Sequence, residues 1–313
     1  MRVTLIINPF ASSINPRITV NIQKLLAADH DLDVVETTKG GHAIRLAHRA
    51  ATAGTEVVVA LGGDGTINEV ANGLLGNRET AIVPLPGGST NVFARSLGYP
   101  NDPIEATQLV IEALAADSTM LASVGLANDR AFLFHVGAGF DAAVVGRVEG
   151  RGPLKRYLGH PLFVAATLTT WFRGVNRDEP WFSIDSDDGR HLDDAHMAVA
   201  LNCSPYTYLG SQPLDLAPEA NLTTPLSVVS LRSLAVHRLV PAALTALRGD
   251  RGVPDSDRTS HWADVNKVTL RGHRPFPYQL DGEAIGTVDT LAIEHRADAI
   301  RLVVPPGFNP AAS

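Results

Sequence analysis

Over residues 1 to about 122, short continuous apolar runs alternate with segments whose apolar positions recur at helical spacing. That rhythm predicts a parallel sheet covered on both faces by helices. The runs Val3 to Ile7, Asp33 to Thr37, Glu56 to Leu61, Ala81 to Leu85 and Met120 to Val124 read as strands. Ile18, Ile22, Leu25 and Leu26 share one helical face, and further helices are expected over His42 to Ala53, Ile67 to Leu75 and Ile104 to Ala115.

Beyond about residue 124 the pattern changes to strands separated by turn signals. Asn128-Asp129 precedes a strand expected over Ala131 to Val136, and Asp187-Asp188-Gly189 lies between Trp181 to Ile184 and Met197 to Leu201. This half reads as mainly antiparallel β, with two helical segments, Lys155 to Arg173 and Leu234 to Arg248. The run Ala299 to Val304 is continuous and apolar, which suits a buried position in the first half's sheet. Two domains follow: residues 1–123 with 296–313, and residues 124–295.

Composition narrows the function classes. Apolar residues make up 45% and charged residues 19%, as in ordinary globular chains. A formal charge of −7 argues against nucleic acid as a partner, since tracking phosphates takes a basic face. The single cysteine, Cys203, excludes an internal disulfide and a cysteine-based metal site, and fits the reducing cytoplasm. The first apolar run is too short for a signal peptide, and none approaches the roughly 18 residues of a transmembrane helix. The eleven histidines lack the paired spacing of a catalytic zinc site.

The chemistry concentrates in two glycine-rich loops. Gly62-Gly63-Asp64-Gly65-Thr66 follows a β-branched run and precedes Ile67, Val70, Ala71 and Leu74, a strand, tight loop and helix in succession. Glycines let backbone amides approach phosphate oxygens, and a helix N-terminus adds favourable partial charge. Asp64 would repel phosphate unless a cation intervened, so its natural role is to engage Mg²⁺. The plain alternative is a glycine-rich turn in which Asp64 satisfies nearby amides. Thr66-Ile67-Asn68-Glu69 also reads as a capping box, which assigns Glu69 to its own helix start. The second cluster, Pro86-Gly87-Gly88-Ser89-Thr90-Asn91, follows the next strand and opens a short helix. Ligands of open α/β sheets sit at the carboxyl ends of strands, so both clusters, with Asn8-Pro9 after the first strand, point to one nucleotide site.

These loops, together with Gly137-Ala138-Gly139-Phe140-Asp141 and Gln279-Leu280-Asp281-Gly282-Glu283, occur in the order found in soluble bacterial diacylglycerol kinases, relatives of sphingosine kinases. The resemblance spans nearly the whole chain. It implies a three-layer α/β ATP-binding domain, an antiparallel β-sandwich second domain and an active site in the cleft between them. It further implies an ATP-dependent lipid kinase that uses Mg²⁺ with ATP and visits a membrane surface transiently, with diacylglycerol the leading acceptor. Asp64 would belong to the phosphate and Mg²⁺ network. Asn8, Thr38, Gly62, Gly63, Gly65, Thr66, Glu69 and Gly87, Gly88, Ser89, Thr90 and Asn91 would border the nucleotide. Glu283 would be the base and Asp281 its support, against a plain Asp-Gly hairpin turn. NAD kinases share the first loop, so NAD phosphorylation is the alternative, as is a nucleotide-binding regulator without turnover. A homodimer is kept open as the assembly.

The chain departs from the family at two places. Phe10-Ala11-Ser12-Ser13 replaces a glycine and a basic residue, a loss Arg17 could offset. Thr224-Pro225-Leu226-Ser227 stands where relatives often carry an acidic stretch that holds a structural Mg²⁺, so no metal is expected there. The aromatic segment Lys155 to Gly174, with Trp171 and Phe172, reads either as a lipid-interface helix or as one packed on the sandwich.

Overall fold

The computed structural model describes residues 1–149, 179–234, 253, 255–256 and 258–311. The chain divides into two units, Met1–Val124 with Ala297–Ser313, and Gly125–Arg296.

In the first unit, strands and helices alternate: β1 (Arg2–Ile7), α1 (Pro16–Ala27), β2 (Asp31–Glu36), α2 (His42–Thr52), β3 (Val57–Gly62), α3 (Asp64–Gly73), β4 (Ala81–Pro86), α4 (Val92–Ser96) and α5 (Pro103–Ala115), followed by β5 (Thr119–Ala127). The sheet order is β2-β1-β3-β4, with every pair parallel. β3 and β4 are buried at all six positions, which explains their uninterrupted apolar sequences. Asn15 and Asp102 cap α1 and α5, each accepting two amides of the first turn, with proline at the helix start. After β2 the chain crosses to the other side of β1 to lay down β3, so the direction of strand addition reverses between β1 and β3.

The second unit is built from β6 (Arg130–Phe132), β7 (His135–Gly139), α6 (Phe140–Glu149), β8 (Phe182–Ser186), β9 (His191–Ala195), β10 (Met197–Leu201), β11 (Thr207–Leu209), β12 (Gln212–Leu214), β13 (Leu226–Leu231), β14 (Thr259–Val265), β15 (Lys267–Leu280) and β16 (Glu283–Val303). β15 links two layers. Its early residues Val268 to Gly272 pair with β8, its last residues Tyr278 to Leu280 pair with β7, and the register breaks between Arg271 and Phe276. Gly272 sits at that bend, where a Cβ would lie 2.5 Å from the Arg274 carbonyl oxygen. Phe182, Ile184, Val268 and Leu270 of one layer pack in a single core with Val136, Ala138, Ala198 and Ala200 of the other, the signature of a sandwich. The part of β16 beyond Arg296 belongs to the first unit, where Arg301 and Leu302 pair in parallel with Ala81 and Ile82 of β4.

Three expectations change. The strand expected over Ala131 to Val136 is two strands, β6 and β7, broken at Leu133 and Phe134, whose amides donate to the Asp281 carboxylate instead of to a ladder. The helix α6 follows directly on Gly139, where no helix was anticipated. α3 begins at Asp64, three residues before the expected Ile67. The segment Lys155 to Gly174 lies outside the described residues, as does Leu234 to Arg248 apart from Leu234. No helix among the described residues is long and apolar enough to cross a membrane.

Candidate functional site

The strand order reverses between β1 and β3, and in open α/β sheets ligands usually sit at the carboxyl ends of the strands at such a point. Asn8 and Gly62-Gly63 leave the sheet on its two sides. The Asn8 amide donates to the Leu61 carbonyl at 2.9 Å, and Asn8 Nδ2 donates to Thr66 Oγ1 at 3.0 Å, tying the first loop to the first turn of α3. The Pro86–Asn91 loop joins them: Gly87 N donates to the Gly62 carbonyl at 2.7 Å, Ser13 N to the Gly87 carbonyl at 2.9 Å, and Ser13 Oγ to the Gly88 carbonyl at 2.8 Å.

The two glycine clusters also touch directly. A Cβ on Gly87 would lie 2.9 Å from Gly62 Cα, and one on Gly88 would lie 2.8 Å from Gly63 Cα. Glycine is required here for loop-against-loop packing as much as for approach to a ligand. Gly65 differs, because it is exposed and a Cβ there would meet nothing within 4 Å. It lies in the first turn of α3, where a helix lacks intrahelical acceptors for its amides, so this is the open part of the cradle.

Asp64 holds the cradle together. Its Oδ2 accepts from Val92 N and its Oδ1 from Phe93 N, both at 3.0 Å, so the first residue of α3 caps the start of α4. Burial pushes its carboxyl above the ordinary range, although the two amides and the nearby Arg95 charge oppose that shift. Each oxygen keeps lone-pair capacity beyond one N–H bond, so capping and cation binding are compatible uses of one carboxylate. Among the described residues no three His, Cys, Asp or Glu groups converge on a metal position. A cation held by one carboxylate together with phosphate oxygens and water fits the habits of Mg²⁺.

The other predicted residues divide. Asn91 is 1% exposed and braces its own loop, accepting from Gly88 N at 2.7 Å and donating to the Gly88 carbonyl and to Asn101 Oδ1. Ser89 is exposed and Thr90 half-buried on the same loop. Thr38 lies on the exposed loop between β2 and α2, with both its amide and Oγ1 at 3.2 Å from His42 Nδ1. The capping box is corrected. With Gly63 as the cap of α3, Thr66 is the third helical residue and Glu69 the sixth, too deep to reach back. Glu69 instead accepts from Gly41 N at 2.7 Å and Ala43 N at 3.0 Å, capping α2. Sequence reasoning missed Ser13 and Asn101, whose bonds to the second loop have no short-range signal.

In the second unit, Asp281 and Gly282 form the two-residue turn between β15 and β16, with φ of 48° and 78°. Asp281 is buried, and its carboxylate accepts from Leu133 N, Phe134 N and His135 N at 2.8, 3.0 and 3.1 Å. Gln279 Oε1 accepts from Gly282 N, and Gln279 Nε2 donates to Asp141, which also accepts from Tyr206 Oη at 2.5 Å. Gly137 leaves room for this bonding, since a Cβ there would lie 1.7 Å from Asp141 Oδ2. Glu283, at the start of β16, is exposed, and its Oε2 accepts from Arg130 Nη2 at 2.9 Å. Asp281 and Glu283 thus flank Gly282 at the turn: one carboxylate is buried and engaged by three backbone amides, the other is exposed and paired with Arg130.

The profile of the diacylglycerol kinase catalytic domain matches residues 2–122. A Chromohalobacter salexigens protein named "probable lipid kinase YegS-like" is 35% identical over 273 residues, covering 86% of this chain and 82% of that one. A diacylglycerol kinase of Bacillus subtilis is 36% identical over 269 residues, covering 84% of this chain and 82% of that one. This chain belongs to the diacylglycerol kinase family of lipid kinases. The crystal structure of a diacylglycerol kinase from Bacillus anthracis superposes with a TM-score of 0.71 at 21% identity, covering 98% of each chain, and shows the shared fold.

Ser13, in the stretch after Asn8-Pro9, bonds the second glycine loop through both its amide and its hydroxyl. The Arg17 amide is spent on the α1 cap, and Arg17 itself is exposed.

Proposed function

We propose that this lipid kinase transfers the γ-phosphoryl group of ATP to the hydroxyl of diacylglycerol, giving phosphatidic acid. The observation that carries the donor side is the cradle at the carboxyl ends of β1, β3 and β4, where Asp64 joins the start of α3 to the start of α4. Diacylglycerol is favoured as acceptor because a relative matching 84% of the chain bears that name.

Mg²⁺ bound with ATP would neutralise the developing charge on the phosphates. Asp64 is the residue that would hold it. Gly65 and the first-turn amides of α3 accommodate phosphate oxygens without side-chain obstruction, and Asn8 fixes Thr66 beside them. Glu283 is the proton acceptor for the lipid hydroxyl: its side chain is exposed, and Arg130 orients the carboxylate through Oε2. Asp281 acts as a positioning residue, since its bonds to three amides set the turn on which Glu283 begins.

Glu283→Gln should lower kcat by about 10²-fold or more, the usual contribution of a general base, while leaving ATP affinity within about twofold. Single-turnover kinetics alongside nucleotide titration separates the two. An unchanged kcat would remove Glu283 from the role.

A further inference from the structure

The acidic stretch that holds a structural Mg²⁺ in relatives reads Thr224-Pro225-Leu226-Ser227 here, and the surrounding groups do not fit such an ion. Asn221 Oδ1 is taken by Thr223 N and Thr223 Oγ1, and Thr224 Oγ1 donates to the Asn221 carbonyl. The buried Ser227 on β13 donates its Oγ to Glu219 Oε1 at 2.8 Å. The same oxygen lies 2.6 Å from His261 Nε2, on β14. His261 Nδ1 lies 3.0 Å from the Val253 carbonyl oxygen, and Val253 N donates to the Leu216 carbonyl at 2.8 Å. Mg²⁺ takes about six oxygen ligands in near-octahedral geometry, commonly one or two free carboxylates with several waters. Among the described residues the carboxylate bonded here is Glu219, and its Oε1 is already committed to Ser227 and an imidazole.

The hydrogen-bond chemistry assigns the charge. A carboxylate and a backbone carbonyl can only accept, so both ring nitrogens of His261 must donate, and only the imidazolium has two N–H groups. We propose that protonated His261, bridging Glu219 and the Val253 carbonyl, takes the place of the relatives' cation in joining β13, β14 and residues 216–221. The tie is then independent of metal and dependent on pH.

The charges that act on the ring are Glu219 and, more weakly, Asp255; Glu219 holds the imidazole above its ordinary value against the opposing effect of burial. Burial pushes Glu219 up, but His261 and Ser227 outweigh it and leave the carboxyl below its ordinary range. The signs follow. The His261 contribution is complete below the ordinary histidine value of about 6.5 and is lost as pH rises through the raised folded-state value. The Glu219 contribution is present above the ordinary value of about 4.3 and is lost as pH falls through the depressed one.

The test uses the full nucleotide-free chain, with thermal unfolding followed from about pH 5.5 to about pH 9 with EDTA or with added Mg²⁺, and ¹⁵N-histidine NMR in parallel. The melting temperature should fall as pH rises, and the slope should flatten in Glu219→Gln. EDTA and Mg²⁺ should not move the melting temperature. His261 should show two protonated nitrogens at neutral pH. A neutral His261 ring at that pH, or a tightly retained stoichiometric Mg²⁺ whose removal lowers the melting temperature, would overturn the proposal. If the variant does not fold, the wild-type NMR spectrum and metal analysis decide. Neither readout involves turnover.

Discussion

Asp64→Asn is expected to reduce phosphoryl transfer by about 10²-fold or more, the scale of removing a charge aimed at a developing transition state. The protein should remain folded. Asn retains one carbonyl oxygen for the α4 amides and loses the other acceptor, a change of about 1 kcal/mol on the scale of helix caps. The pH profile sharpens the expectation. Because burial holds the Asp64 carboxyl above the ordinary range, the charged form accumulates only as pH rises through that raised value. In the nucleotide-free protein Asp64 should therefore take up its proton at a higher pH than an ordinary carboxylate, a titration that NMR of ¹³C-labelled aspartate reads. Steady-state rates, with unfolding midpoints measured in parallel, check both points. A variant that turns over at the wild-type rate would leave Asp64 only its capping role.

Asp281→Ala should have the largest effect on stability. Three buried amides lose their acceptor at once, each unsatisfied donor costs about 1–3 kcal/mol, and alanine at a left-handed position adds about 1 kcal/mol. A loss of about 4 kcal/mol or more is expected by denaturant unfolding, in the range few single substitutions reach. Asp281→Asn should lose less, since its carbonyl oxygen can still serve Phe134 N and His135 N. A loss under about 1 kcal/mol for the alanine variant would show that the amides find other acceptors.

Local features were legible in the sequence wherever a residue type answers to a local need. The alternation of apolar runs and helical spacing marked the parallel strands, because strands buried on both faces tolerate little else. Asn128-Asp129 was recognisable as a tight turn because those residues accept positive φ, and they adopt 44° and 71° between Ala127 and Arg130. The two glycine loops were likewise visible, although part of the reason for glycine, the contact between Gly62-Gly63 and Gly87-Gly88, needs the structure.

What stayed hidden is non-local. Ala131 to Val136 reads as one strand, and nothing nearby reveals that its amides at 133 and 134 serve a carboxylate almost 150 positions away. Glu69 has the spacing of a capping box, yet its partners lie on another helix, 26 and 28 positions distant. His261 shows no motif at all, because Glu219 and Val253 meet it only after β13 and β14 pair.

Lipid phosphorylation is tested most directly by incubating the purified chain with γ-labelled ATP, Mg²⁺ and a panel of dispersed diacylglycerol, sphingoid bases, other lipid alcohols and NAD. The expected product is labelled phosphatidic acid, formed faster than any other and cut about 10²-fold or more with Asp64→Asn. Label transferred to NAD and to no lipid, or ATP bound without transfer to any acceptor, would contradict the assignment.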